Sequence, residues 1–135
     1  MSIRGVRGAT VASRDEPEAI LSATRELLEA LLQANPLMQV AELASALFTV
    51  TCDLTAEYPA KAARQLGWEQ VPLMCAQEIP VIEGLPHCIR VLLHWNTGLP
   101  QSAVRHVYLG AAANLRPDLA QDTNNGQIPE KECVK

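Results

Sequence analysis

Hydrophobic and polar residues alternate at the start of the chain, which is the pattern of a β-strand with two different faces. Over residues 3–12 this two-residue period places Arg7 on one face and Val6 on the other. Two glycines, Gly5 and Gly8, interrupt the stretch. Because glycine has no side chain, we expect another backbone or a ligand to approach the strand closely there.

A helical period follows directly. Residues 13–17 (SRDEP) combine candidate N-cap residues with a proline suited to a first helical turn. Apolar residues then recur at helical spacing, and Asn35-Pro36 ends the pattern, so a helix to about residue 34 is predicted. Its apolar stripe consists of Ile20, Leu21, Leu27, Leu28, Leu31 and Leu32.

The rest of the pattern predicts four more strands and one more helix. We expect a helical turn at 39–44, a helix at 60–66, and strands at 45–51, 71–76, 88–95 and 105–111. The order β-α-β-α-β-β-β predicts an α/β (α+β) domain with a mixed five-stranded sheet and two main helices on one face. Two helices cannot cover both faces of such a sheet, so a second copy of the chain is expected on the other face.

Composition limits the possible functions. The chain has 135 residues, which is enough for one domain, and we assign 1–119 to it and 120–135 to a mobile polar C-terminal tail. Its net charge of −4 argues against sequence-independent nucleic-acid binding. No apolar run approaches the ~20 residues of a membrane span. We therefore expect a cytoplasmic protein that contacts neither nucleic acid nor membrane.

Cysteine and histidine spacing offers little support for a metal or redox site. No cysteine pair has the two-residue spacing of a zinc or redox motif, and no histidine pair has the i, i+4 spacing of a helical metal site. We predict neither a metal nor a cofactor.

Arginines occur where the pattern predicts burial. Arg90 interrupts the apolar run at 88–95, and a guanidinium that cannot lose its charge needs an anion there. That anion is either a protein carboxylate, the commoner case for a single buried arginine, or a small ligand, which Arg7 and Arg116 also favour. Glu78 could be the ion-pair partner or an acceptor for a ligand hydroxyl. No nucleophile elbow or phosphate loop is present, so an enzyme of this kind would act by positioning and fixed charge.

Six segments, in order along the chain, carry a family resemblance. They are 3–10 (IRGVRGAT), 51–64 (TCDLTAEYPAKAAR), 71–78 (VPLMCAQE), 88–91 (CIRV), 105–109 (RHVYL) and 115–119 (LRPDL). With these segments the chain closely resembles the monofunctional, trimeric α/β class of chorismate mutase. The resemblance implies a homotrimeric pseudo α/β barrel with active sites between subunits. It also implies the cofactor-free rearrangement of chorismate to prephenate on the route to phenylalanine and tyrosine.

The same resemblance implies roles for individual residues. Arg90 would contact the ether oxygen and a carboxylate, Glu78 and Cys75 would bind the ring hydroxyl, and Arg7 would hold a carboxylate. Further substrate contacts would come from Tyr108, Leu115 and Arg116, and from Tyr58 and Arg64 of the neighbouring subunit.

Two other functions stay open at this point. One is a trimeric imine/enamine deaminase of similar fold, which also binds carboxylates with arginine. The other is a non-catalytic module that binds small dicarboxylates. Loss of chorismate absorbance would indicate the mutase, whereas ligand-induced stabilisation without turnover would indicate the binding module.

Overall fold

The structure, a computed structural model, describes residues 2–115 and confirms the predicted order of elements. The predicted tail at 120–135 and Arg116 lie outside the described residues. The strands are β1 (Ser2–Val11), β2 (Leu43–Val50), β3 (Leu73–Gln77), β4 (Cys88–Thr97) and β5 (Val107–Tyr108). The helices are α1 (Pro17–Ala34), α2 (Ala60–Gln65) and three short 3₁₀ helices, Val40–Glu42, Gln101–Ala103 and Gly110–Asn114.

The five strands form one mixed sheet in the order β3-β2-β4-β1-β5. The central strand β4 is antiparallel to β1 and to β2, whereas the outer pairs β2–β3 and β1–β5 are parallel. The apolar run at 88–95 thus occupies the middle of the sheet, and it places Arg90 there too.

Both α-helices pack on the same face of the sheet, as expected, and the main core lies between them and the strands. Gly8 lies under α1, where a Cβ atom would come within 2.8 Å of Leu31 Cδ1 and 3.1 Å of Leu27 Cδ1. The close neighbours at Gly8 are therefore leucine side chains of α1, and not the backbone or ligand that was expected.

The start of α1 differs in detail from the expected capping. Pro17 is in the first turn, but the N-cap residue Glu16 makes no side-chain capping bond. Asp15 instead accepts hydrogen bonds from the backbone N–H groups of Thr55 and Ala56, at 2.9 and 3.0 Å, and thereby ties α1 to the loop before α2. Within residues 2–115, no helix is both long enough and apolar enough to cross a lipid bilayer.

The face of the sheet opposite α1 and α2 is here called the open face. It is covered at one end by Gly110–Asn114, which packs around Ala9 and Tyr108, but much of it faces solvent. Met74 is 67% exposed, and the side chain of Arg90 is 49% exposed. The expectation that Arg90 is buried is therefore wrong for a single chain, because the strand pattern does not show which face lacks a covering layer.

The fifth strand is much shorter than predicted. The expected strand at 105–111 contains only Val107 and Tyr108. Before them, the ring of His106 accepts the Arg7 backbone N–H at 2.9 Å, so a side chain takes the place of the next ladder bond. After them, Gly110 adopts a φ of +56° and turns the chain into the 3₁₀ helix.

Candidate active site

The centre of the open face is a row of five residues, one from each strand. Strand register aligns them in the order Ala76, Thr49, Arg90, Ala9 and Tyr108. Residues paired directly across a sheet point to the same side of it, and Arg90 lies on the open face, so all five lie on the open face. Small alanines at two positions leave room beside the long side chain of Arg90.

An open cavity of about 220 Å³ lies along this row. Four of the residues proposed from the sequence line it together, namely Arg7, Glu78, Arg90 and Tyr108. Its remaining lining residues are Gly8, Leu47, Thr49, Val91 and Leu92. One cavity thus contains two arginines, a carboxylate and a phenol, a set suited to binding a small anion that also carries a hydroxyl group.

Arg90 and Glu78 form a two-pronged ion pair on the wall of the cavity. Arg90 Nε donates to Glu78 Oε2 and Arg90 Nη2 donates to Glu78 Oε1, both at 2.7 Å. The Thr49 hydroxyl also donates to Oε2 of Glu78. A guanidinium has five N–H donors, so these two bonds leave three donors of Arg90 for a ligand. Arg90 can therefore bind a protein carboxylate and a ligand anion at the same time, so the two partners considered from the sequence do not exclude each other.

The pair keeps both groups charged. Hydrogen bonding to Arg90 lowers the pKa of Glu78 below its usual range, although burial opposes this, and the Thr49 hydroxyl lowers that pKa further. The same hydrogen bond raises the pKa of Arg90. Near neutral pH the cavity therefore has a fixed positive charge beside a fixed negative one.

Cys88 lies at the start of β4 behind this pair and contributes no charge. Its thiol is buried, and burial raises its pKa to about 12. A thiol with this pKa is neutral and a poor nucleophile at physiological pH.

The other proposed residues lie on a different surface. Tyr58, Arg64 and Cys75 line a groove of about 310 Å³ at the β3 edge of the sheet, and none of them lines the Arg90 cavity in the described part of the chain. Cys75 packs against the main core. Within one chain the structure therefore does not bring Cys75 together with Glu78, although they are three residues apart in sequence.

The end of the described chain adds one proposed residue. Leu115 packs against the cluster of buried residues that includes Tyr108, and so lies behind the cavity wall rather than on it. Among residues 2–115, no group of three or more His, Cys, Asp or Glu side chains is placed to hold a metal ion.

Sequence reasoning missed Thr49. The one signal in the sequence that bears on Thr49 is the two-residue period of β2, which places the side chains of Leu47 and Thr49 on the same face. Only the strand register shows that this face meets Arg90, because Thr49 and Arg90 are directly opposite in the β2–β4 ladder.

Comparisons with known proteins show what the chain as a whole is similar to. The family model described as chorismate mutase type I matches residues 3–119. A chorismate mutase AroH of Thermus thermophilus is 56% identical over 117 residues, which cover 87% of this chain and 96% of that protein. The chorismate mutase AroH of Bacillus subtilis (strain 168) is 46% identical over 125 residues, which cover 92% and 98% respectively. A solved chorismate mutase structure from Clostridium thermocellum superimposes with a TM-score of 0.79 at 41% identity, covering 82% of this chain and 97% of that one.

Proposed function

This chain belongs to the chorismate mutase type I family and is a chorismate mutase, and we propose that it binds and rearranges chorismate at the Arg90 cavity of the open face. It is thus an isomerase of aromatic amino acid biosynthesis that converts chorismate to prephenate. The comparisons support neither the deaminase nor the non-catalytic binding module.

The observation that carries the proposed mechanism is the Arg90–Glu78 pair facing the cavity. During the rearrangement the ether C–O bond breaks as a C–C bond forms in the same molecule, with negative charge growing on the ether oxygen and positive charge on the ring. The free N–H donors of Arg90 stabilise the ether oxygen and a carboxylate. The Glu78 carboxylate accepts the ring hydroxyl and faces the developing positive charge. Such fixed charges need no reorganisation at the moment of reaction.

Positioning is the second part of the mechanism. Chorismate must hold its flexible enolpyruvyl group over the ring before the two ends can bond. Arg7 binds one carboxylate in this proposal and Tyr108 packs beside the substrate, since both line the same cavity as Arg90. Holding the compact conformer removes an entropic part of the barrier.

The proposed assembly is a homotrimer with active sites between subunits. Three features support it: the exposed apolar side chains of the open face, the small cavity, and the location of Tyr58, Arg64 and Cys75 on a second surface. A cavity of about 220 Å³ is below the ~300–1,000 Å³ usual for ligand pockets. The β3 groove of one subunit closes the Arg90 cavity of the next, which also brings Cys75 to the substrate from the neighbouring chain. The cytoplasmic location stays a prediction.

Chorismate absorbance provides the direct test. The wild-type protein removes it, and acid converts the prephenate formed into phenylpyruvate. Arg90→Ala lowers kcat by at least about a hundredfold, the loss typical of removing one donor to a developing oxyanion. Arg25→Ala is the matched control, because that arginine lies on α1 away from the cavity. If kcat is close to normal in folded Arg90→Ala, the proposed role of Arg90 is wrong.

A further inference from the structure

Glu78 is held by two separate elements in addition to its own strand end. Its carboxylate bonds to Arg90 on β4 and to Thr49 on β2. Its backbone N–H donates to the Val50 carbonyl of β2 at 2.8 Å. Strand β2 therefore holds both the side chain and the backbone of Glu78.

The ion pair alone is a weak way to hold Glu78 during catalysis. In the proposed reaction the three free donors of Arg90 bond to the ether oxygen and to a carboxylate, so two further anions draw the same guanidinium away from Glu78. A glutamate side chain released from Arg90 regains its rotamer freedom, and a correct orientation is then lost. A second donor that the substrate anion does not compete for removes this difficulty.

Thr49 has the properties of such a donor. It is β-branched and lies near the end of β2, where the strand is paired with both β3 and β4, so its χ1 angle is restricted and its hydroxyl points in a defined direction. The hydroxyl bonds to Oε2 of Glu78, the oxygen that Arg90 Nε also contacts. Oε1 has only the Arg90 Nη2 bond among these contacts, so it keeps acceptor capacity on the cavity side.

We propose that Thr49 is a positioning residue for the rearrangement: its hydroxyl holds Oε2 of Glu78, so that Oε1 stays directed at the substrate while Arg90 also bonds to the ether oxygen. This inference rests on the proposed roles of Glu78 and Arg90. It assigns the cavity a two-layer arrangement in which Thr49 acts on Glu78, and Glu78 acts on the substrate.

The electrostatics agree with this arrangement. The groups that face the Glu78 carboxylate are Arg90 from β4, Thr49 from β2, and, across the cavity, Arg7 and Tyr108. Cys88 is close and neutral. Of these, Arg90 and Thr49 both lower the pKa of Glu78 by hydrogen bonding. Removing the Thr49 donor therefore raises that pKa, and the acidic limb of the kcat/KM profile moves to higher pH.

Thr49→Val and Thr49→Ser test the role of the hydroxyl. Valine keeps the shape and the β-branch, so the strand is retained, whereas serine keeps the donor. We expect Thr49→Val to lower kcat roughly tenfold, as for loss of a hydrogen bond to a charged group, and to shift the acidic limb upward. We expect Thr49→Ser, which keeps the donor, to have a kcat within about threefold of wild type and an acidic limb close to the wild-type position. Thr97→Val, a hydroxyl loss on β4 outside the cavity, changes neither.

A double-mutant cycle shows whether Thr49 acts through Glu78. If it does, Thr49→Val has almost no further effect in a Glu78→Ala background. If the full loss persists there, Thr49 contacts the substrate directly and the proposal is overturned. It is also overturned if Thr49→Val alone leaves kcat and the acidic limb unchanged. Should Glu78→Ala itself be fully active, the proposed function of Glu78 fails instead, which is a separate result. If Thr49→Val does not fold, Thr49→Ala takes its place in the cycle.

Discussion

Arg90 has a charge that pH does not remove and a geometry that serves two anions at once. The planar guanidinium holds Glu78 with two parallel N–H donors and keeps three more for a ligand. A pair of this kind, half exposed, adds little to stability because water screens it. Its value in the proposed mechanism lies in holding two opposite charges at a defined separation before substrate arrives.

The first prediction concerns the shape of that charge. Arg90→Lys keeps a positive charge but replaces the fork with a single point, which cannot bond to Glu78 and the ether oxygen in the same way. We expect kcat to fall about as far as in Arg90→Ala, by roughly a hundredfold or more. Chorismate consumption measured at saturating substrate checks this. A lysine variant with more than about a tenth of wild-type kcat would show that charge alone is sufficient.

A second prediction follows from the lowered pKa of Glu78. A carboxyl whose pKa is depressed by folding contributes stability that is fully present above its unfolded value of about 4.3 and is lost as pH falls through the folded value. The difference in Tm between wild type and Glu78→Gln is therefore constant near neutral pH and shrinks below about pH 4. Since the side chain of Arg90 is half exposed, we expect the Tm difference near neutral pH to correspond to about 1 kcal/mol or less of stability. A difference that grows on acidification would contradict the assignment.

At the level of elements, the sheet register creates the site. The residues of the central row come from five strands that are far apart in sequence, and only the register aligns them. The two-residue and helical periods were sufficient to predict the type and order of the elements, because each period reflects one buried face. Register depends on pairing between distant strands, which local patterns do not report, so Thr49 was not predicted.

Two other differences have the same origin. The short β5 results from a side-chain acceptor, His106, and from the positive φ of Gly110, and neither changes the apolar pattern at 105–111. The family resemblance implies that Cys75 and Glu78 bind the same ring hydroxyl, and within one chain the two side chains lie apart. A strand reverses side-chain direction at each residue, so Cys75 packs into the core while Glu78, beyond the end of β3, reaches the open face.

The third prediction tests how α1 supports β1. In Gly8→Ala the new methyl group would lie within 2.8 Å of Leu31 Cδ1, so α1 must shift or the leucines must leave their rotamers. We expect a loss of about 1–3 kcal/mol in the free energy of unfolding, the usual cost of overpacking a core. Urea denaturation measures it. Gly5→Ala is the control on the same strand, because its Cβ would meet Leu92 Cδ1 at an ordinary 3.5 Å. Equal stability of the two variants would show that Gly8 is not needed for the packing of α1.

At the level of the whole molecule, one chain presents two incomplete surfaces. The open face has the charged cavity but is partly exposed, and the β3 edge has Tyr58 and Arg64 beside a groove of its own. A contact in which the two different surfaces meet is heterologous, and such contacts close into a ring when the rotation between subunits allows it. The proposed trimer is a ring of this type, and each of its active sites uses Arg90 from one chain and Arg64 from the next.

The last prediction uses this division of the site. Arg90→Ala removes the contribution of one chain to the proposed site, and Arg64→Ala removes the contribution of its neighbour. Because each variant loses a charge-assisted contact, we expect either one alone to have less than about a tenth of wild-type kcat/KM. After both variants are unfolded together in equal amounts and refolded, a ring contains intact sites wherever an unmodified Arg90 meets an unmodified Arg64. Random mixing gives this arrangement at half times half of the interfaces, so activity returns to about a quarter of the wild-type value. Each variant refolded alone is the control and stays weakly active. If the mixture is no more active than the average of its components, both arginines serve a site within one chain, and the interfacial site is ruled out.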